Sequence, residues 1–300
     1  MVADQSVGRG FPDLRTLGRT WGSVEDSQDH ACGSRYAITR ADGGRSVGAF
    51  ARGNLADHVD DDPAAVEHNR GQLAVALGAY RGLAFVRAVH GRDVAWAESA
   101  GTYRDVDALI TDTPGLGLVA LGADCAVVGL HGHRDDGSPL VAVAHCGWRG
   151  LVEDVIASVV DEMRIAGGRD LQAVLGPAIC GGCYRVDFQR FSRVLSAVSP
   201  RVAGVALREG DETDGTRIWG IDIRRGTRER LIELGVGVVE DPELQGMECT
   251  LESESWFSFR RACVEDGAGR TGRHGLAAVA DRVPGDDDNL DARADAGAGA

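Results

Sequence analysis

Apolar residues along this chain recur with two different periods, and each change of period marks a new element. Residues 35–39 and 47–51 flank an Asp42-Gly43-Gly44 turn and predict two strands. Asp62-Pro63 then caps a helix on which Val66, Leu73 and Leu77 share one face, and Gly78 ends it. Short runs rich in Val and Leu at 83–89, 108–111, 117–120, 126–130 and 140–144 predict buried strands. Leu151, Val155, Val159 and Met163 follow at helical steps, predicting a helix over 151–166 that stops at Gly167-Gly168. A strand at 173–175, helices at 188–198 and 223–234, and a last strand at 236–239 complete the pattern. Residues 257–261 alternate like a half-buried strand, which would send Arg260 and Arg261 to opposite faces.

No repeat and no interior linker interrupts this alternation, so the expected fold is a single-domain α/β layered sandwich with a mixed β-sheet flanked by helices. Residues 1–32 are polar and aperiodic, and 281–300 hold six Asp among Ala and Gly. The expected organisation is a mobile N-terminal tail at 1–32, a catalytic domain at 33–280 and an acidic disordered tail at 281–300. With 300 residues and 43% hydrophobic content, the chain can bury a core without disulfides.

Charge removes several functions. All 32 basic residues are arginine, which excludes chemistry that needs a lysine amine, such as a Schiff base or a P-loop lysine. A net charge of −14 argues against coating nucleic acid or an anionic membrane. No run reaches the roughly 18 apolar residues of a membrane span, and Asp4, Arg9 and Asp13 occupy the place of a signal's apolar stretch. A cytoplasmic protein with reduced thiols is expected, since seven irregularly spaced cysteines do not form a secreted disulfide framework.

Candidate chemistry gathers where apolar runs end: His90, Asp124-Cys125 and His145-Cys146. Two imidazoles and a thiolate are three good zinc ligands, leaving the fourth position open as catalytic sites do. Spacing leaves two other readings standing: buried, hydrogen-bonded histidines with an inert thiol, or a Cys125 nucleophile with His145 as its base. Cys146-Gly-Trp-Arg-Gly150 joins a strand to a helix N-terminus, where Arg149 could complete an anion clamp or meet a surface acid. Arg70, on the capped helix, reads as solvated. Cys180-Gly-Gly-Cys183 lacks a second pair and reads as a glycine-rich loop with incidental thiols; residues 269–273 read as a turn. Surface or capping roles are expected for His58, His68, His131, His133 and His274.

Several short motifs, in this order, carry a family resemblance. They are Gly43-Gly44 with Asn54-Leu-Ala-Asp-His58, Asp61-Asp-Pro-Ala-Ala-Val66 with Asn69-Arg70, Val89-His-Gly91, Asp107-Ala-Leu-Ile-Thr111 and Gly122-Ala-Asp-Cys125. His145-Cys-Gly-Trp-Arg-Gly150, Leu175-Gly-Pro-Ala-Ile179, Cys183-Tyr184 and Phe257-Ser-Phe-Arg-Arg261 with Thr271-Gly-Arg273 follow. Over about residues 35–280 the chain resembles the purine nucleoside phosphorylase family formerly called multicopper polyphenol oxidase, or laccase-like, which includes a peptidoglycan editing factor.

The resemblance implies a layered α/β sandwich and a zinc ion on His90, Cys125 and His145; copper, which the older family name suggests, is disfavoured by the scarcity of close histidine pairs. It implies phosphorolysis of adenosine, inosine, guanosine and methylthioadenosine, and deamination of adenosine to inosine. Purine nucleosides and phosphate become the partners. Arg70, Arg149 and Asn54 become candidates for substrate or phosphate binding, and Cys125, Asp124 and Arg149 for catalysis, Asp124 as an acid, a base or a support for the metal. Three positions depart from the pattern: Cys146 stands where alanine is usual and adds a thiol beside the metal, Arg185 where an acid is common, and Cys180 where glycine is usual. Rival readings are a Cys125/His145 amidase that edits wrongly built peptidoglycan precursors, a copper-dependent phenol oxidase, and a non-enzymatic metal store. The phenol oxidase would need close histidine pairs, which only His131 and His133 approach.

Overall fold

The Asp62-Pro63 pair acts as its chemistry dictates. In a computed structural model that describes residues 19–20, 33–50, 53–213, 216–265 and 267–281, the first helix spans Pro63–Leu77. Asp62 is extended and accepts the Ala64 N–H, a cap worth about 1 kcal/mol. Gly78 closes the helix at φ 68°, a left-handed conformation that a side chain would strain.

The strands divide over two six-stranded mixed sheets rather than one. The first runs in the order Arg19–Thr20, Ser34–Ile38, His274–Ala280, Gly117–Gly122, Leu83–Arg87, Gly101–Arg104. The second runs Gly237–Val239, Arg169–Leu175, Ala126–His133, Pro139–Cys146, Ala108–Thr111, Val94–Trp96. Side-chain alternation explains why they stack. On Ala126–His133, Val127 points between the sheets, where it meets Val141, Val143, Val174, Leu118 and Leu276. Ala126, Val128 and Leu130 point the other way, onto Val155, Val159, Met163, Ile223 and Leu231. Leu73 and Leu77 of the first helix cover the outer face of the first sheet at Phe85, Val119 and Ala277. The result is a single α/β domain of four layers: helix, sheet, sheet, helices.

Several local expectations are corrected. Of the strand expected at 47–51, residues 47–50 form none: Gly48–Phe50 is one 3-10 turn, and Val47 is 75% exposed, so nothing rewards pairing there. The helix over 151–166 is two helices, Trp148–Glu153 and Val155–Ile165. Asp154 sits between them at φ 60°, caps the second through Ala157 N–H and pairs with Arg230 at 2.7 Å. Residues 257–261 run into a helix, Phe259–Glu265, rather than a strand. His274–Ala280, wholly buried at the centre of the first sheet, carries Gly and Ala where strand signals are sought. A small third sheet, Arg185–Val186, Thr216–Ile221 and Leu207–Thr213, was likewise silent in the pattern.

The expected mobile tails at 1–32 and 281–300 lie outside the described residues, except for Asp281 and for Arg19–Thr20, which pair with Tyr36 and Arg35. No helix among the described residues is long and apolar enough to cross a membrane.

Candidate metal centre and active site

The chain crosses from the first sheet to the second through Ala123-Asp124-Cys125, between Gly117–Gly122 and Ala126–His133. His145 lies near the end of Pro139–Cys146, the neighbouring strand, and His90 lies just beyond Leu83–Arg87 in the first sheet. One ligand atom each from His90, Cys125 and His145 falls within 4.8 Å of the others. Cys125 Sγ is 3.9 Å from His90 Nε2, and the two imidazoles meet edge to face at 4.8 Å.

A fully buried carboxylate, Asp107, builds this arrangement. Its Oδ1 accepts the His90 N–H at 2.9 Å and His145 Nδ1 at 3.0 Å. Its Oδ2 accepts the Gly91 N–H at 2.7 Å and the Val89 N–H at 3.2 Å. A carboxylate has no proton to give, so His145 Nδ1 donates and Nε2 is left as the ligand atom. The same contacts hold His90 at φ 65°, unusual for a residue with a Cβ. Asp107 stood only inside a quoted motif; an acid just before a buried strand was the available signal.

Electrostatics couple Cys125 and His145 as a thiolate and an imidazolium, whose Nε2 proton a metal ion would displace. Burial opposes a charge on Cys125, yet the His145 and His90 imidazoles bring its thiol down to about 6. Burial likewise opposes a charge on His145, but the Cys125 thiolate and Asp107 raise it to about 9. Burial would raise Asp107; the His145 hydrogen bond and the Gly91 and Val89 N–H groups outweigh it and hold the carboxyl below its ordinary value. Gly147 leaves room for the trio: a Cβ there would sit 2.9 Å from Cys125 Sγ and 3.2 Å from His90 Cδ2. Two nitrogens, a sulfur, a hydrogen-bonded carboxylate behind one ligand and a cavity in front form a donor set that suits zinc with one position open.

That cavity holds about 410 Å3. Trp148, Tyr184 and Phe259 give it aromatic walls, Arg190, Arg260 and Arg273 give it cations, and His58 lines it as an imidazole that burial and the nearby Arg87 and Arg273 hold toward its neutral form. A larger, open depression around Arg224, Arg225, Arg228 and Glu240 lies apart from the trio, and two of its three arginines, Arg224 and Arg228, already pair with Glu240 at 3.3 and 2.7 Å.

Asp124 lines the cavity at φ 97°. Its Oδ1 accepts Thr250 Oγ1 and its Oδ2 the Arg260 N–H, each at 2.7 Å, so it anchors the start of the Phe259–Glu265 helix. Arg149, Arg70 and Asn54 are placed outside the lining. Arg149 is exposed, with its guanidinium 5.5 Å from the Trp148 ring. Arg70 lies over Phe85, donates to Leu55 O and pairs with Asp57. Asn54 is buried and accepts the N–H groups of Ala56 and Arg273.

Arg260 faces the cavity, whereas Arg261 is spent on the carbonyls of Thr250, Ser253 and Trp256. Arg273, expected in a plain turn, lines the cavity, and so does His58, which is exposed as expected. His131 and His274 are core residues, not surface ones; His131 bonds to Ser34. Cys146 does not sit beside the metal ligands: the residue after His145 on a strand points to the opposite face, and Cys146 packs in the helix-side core, where burial pushes its thiol up to about 12. Arg185 is exposed and offers the site only its carbonyl, which Arg260 uses.

Residues 35–280 match the family described as multi-copper polyphenol oxidoreductase laccase. The purine nucleoside phosphorylase ORF3 of Streptomyces griseus is 36% identical over 76% of this chain and 89% of its own. A purine nucleoside phosphorylase of Corynebacterium glutamicum is 33% identical over 80% of this chain and 91% of its own. Among solved structures, Neisseria meningitidis protein NMB0706 superposes with a TM-score of 0.68 at 28% identity, covering 89% of this chain and all of the other. YlmD from Geobacillus stearothermophilus gives 0.69 at 25% identity, over 87% of this chain and 99% of its own.

Proposed function

Because the chain belongs to the multi-copper polyphenol oxidoreductase laccase family, and its relatives are named purine nucleoside phosphorylases, we propose that it is a zinc-dependent purine nucleoside phosphorylase that also deaminates adenosine. The observation that carries this reading is a two-histidine, one-cysteine trio opening onto a cavity with aromatic walls and three arginines. His90, Cys125 and His145 would hold the ion. Zinc bound there supplies Lewis acidity and lowers the pKa of water in its open position toward neutral, the activation that deamination at C6 of adenosine requires.

The remaining work falls to the protein. Trp148, Tyr184 and Phe259 offer faces on which a purine stacks, and they exclude water from the reacting bond. Arg190, Arg260 and Arg273 converge from three different elements and hold phosphate against C1′; a phosphate oxygen then bonds to C1′ as the C1′–N9 electrons leave with the purine. Asp124, with both oxygens engaged, positions Arg260 and Cys125. Adenosine, inosine, guanosine and methylthioadenosine are the proposed substrates.

A phenol oxidase is disfavoured because the described residues offer this trio and one thiol-rich cluster, with no close set of histidine pairs. The amidase reading keeps one supporting observation, the Cys125 thiol held near 6 beside His145, as in a thiolate nucleophile and its base.

The deciding experiment assays adenosine and inosine with and without phosphate, before and after chelation, alongside zinc analysis. Free base and ribose 1-phosphate formed only with phosphate, and inosine formed from adenosine without it, both lost on chelation and restored by zinc, are expected. Chelator-insensitive inactivation by an alkylating agent at Cys125, with no nucleoside turnover, would transfer the site to amide substrates.

A further inference from the structure

Beyond the cavity, the fold assembles a second set of soft ligands that spacing alone left as incidental thiols. Cys180, Cys183, Cys249 and Glu252 each place one ligand atom within 4.8 Å of the others. They form two matching halves, Cys180-Gly-Gly-Cys183 and Cys249-Thr-Leu-Glu252, each with the two-residue gap that lets both ends of a tight turn point at one ion. Ala178 pairs with Cys249, Ala178 N–H donates to Glu248 O at 2.9 Å, and Thr250 N–H donates to Ala178 O at 3.2 Å, so backbone pairing sets the halves side by side. The turns close on themselves: Cys183 and Tyr184 N–H donate to Cys180 O, and Ser253 N–H to Cys249 O.

We propose that Cys180, Cys183, Cys249 and Glu252 form a second, structural zinc site, separate from the His90, Cys125 and His145 trio. Three thiolates and a carboxylate fill a tetrahedron, leaving no position for substrate. With Zn–S bonds of about 2.3 Å the tetrahedral edge is about 3.8 Å, so closure needs movements of about 1 Å, within reach of side-chain rotation. The buried Cys249 sulfur already accepts the Cys180 N–H at 3.4 Å, and the Cys183 thiol donates to Glu252 at 3.3 Å; zinc takes the place of that proton, and the thiol protons pass to solvent. Glu252 is exposed and gives the ion access.

The location gives the site its purpose. Ile179, adjacent to Cys180, and Tyr184, adjacent to Cys183, line the cavity, and Ile179 N–H donates to Asp124 O. Thr250, adjacent to Cys249, holds Asp124 Oδ1. The ion would clamp together the two loops that brace one cavity wall.

The test is zinc analysis of the full chain in a His90→Ala/His145→Ala double variant, which lacks the first centre. One tightly held zinc per chain is expected, and cobalt substitution should give tetrahedral absorption with the charge-transfer intensity of several Co–S bonds. Adding Cys249→Ser should remove both. Should that variant fail to fold, the exposed Glu252→Gln change should weaken zinc roughly tenfold or more in a chelator competition. A folded double variant that takes up neither metal, a disulfide among Cys180, Cys183 and Cys249 in the isolated protein, or unchanged affinity in Glu252→Gln would each overturn the proposal. Because the double variant removes only the first centre, failure of the catalytic zinc reading leaves this result readable.

Discussion

Asp107→Asn tests the residue on which the trio depends, since it exchanges one oxygen for nitrogen and keeps the shape. The carboxylate accepts four donors, two on each oxygen: His90 N–H with His145 Nδ1, and Gly91 N–H with Val89 N–H. An amide has one acceptor oxygen, so in either orientation its NH2 faces two N–H donors. Each buried donor left unmet costs about 1–3 kcal/mol, which places the loss at about 2–6 kcal/mol. Relaxation of the 89–91 loop toward solvent draws the figure to the lower end, since Val89 and His90 are exposed.

Neither orientation spares the metal site. With the amide oxygen at the Oδ1 position Val89 and Gly91 lose their acceptor on either side of His90; with it at the Oδ2 position both His145 and the His90 N–H lose theirs. Zinc affinity should therefore fall about 10- to 100-fold, the usual cost of losing a partner behind a metal-bound histidine. Urea unfolding at fixed zinc, with a chelator competition, reads both quantities, and the midpoint should fall while the slope stays constant. An Asp107→Asn protein that unfolds within about 0.5 kcal/mol of the parent and binds zinc within about twofold would refute the assignment.

Gly147→Ala pushes a Cβ to 2.9 Å from Cys125 Sγ, so zinc content and kcat/KM should drop while Tm falls by only a few degrees; intact metal binding would show that the trio has slack. Arg190→Ala and Arg273→Ala should each raise the KM for phosphate about tenfold or more, reflecting a lost charged hydrogen bond of about 1.5–3 kcal/mol, whereas Arg70→Ala and Arg149→Ala should not; steady-state kinetics with varied phosphate decides. Burial depresses His131 from 6.5 to about 4 and His274 to about 3. Both depressed groups bind more protons when unfolded, so stability is full above 6.5 and declines as pH falls toward 4, with a slope approaching about 1.4 kcal/mol per pH unit for each. A His274→Leu protein with the same acid slope as the parent would contradict this.

The alternation of layers was legible because continuous apolar runs are direct images of strands buried on both faces, as at 108–111 and 140–144, and helical-period stripes of helices buried on one. What was not legible lacks an image in hydrophobicity. His274–Ala280 is rich in small residues because it lies between two neighbouring strands with the second sheet on one face and the first helix on the other, and two stacked sheets give the same run pattern as one wide sheet. The helix break at Asp154 is set by a tertiary partner, Arg230, 76 residues away. Strand ends pointed to His90, Cys125 and His145, because polar residues closing apolar runs are costly unless used. Asp107, Arg273 and the Cys249 and Glu252 partners of the Cys180 pair are joined only by folding, so local spacing could not assemble them.

The exclusive use of arginine gains meaning inside the cavity. The chain carries −14 overall, so its far field opposes an approaching phosphate, and the proposed binding would depend on cations set at close range behind apolar walls. Arg190 lies 5.1 Å from the Trp148 ring centre and donates to Tyr184 Oη; Arg260 lies 5.2 Å from the Tyr184 ring centre and donates to Arg185 O. A planar guanidinium can stack, bond to the protein on one edge and still present donors on another, whereas an ammonium has one hydrated point to offer. These contacts restrict the guanidinium rotamers before any anion arrives, so in the proposed phosphorolysis the ordering cost would already be met in the free protein and the donors would not need to reorganise as charge shifts during bond exchange.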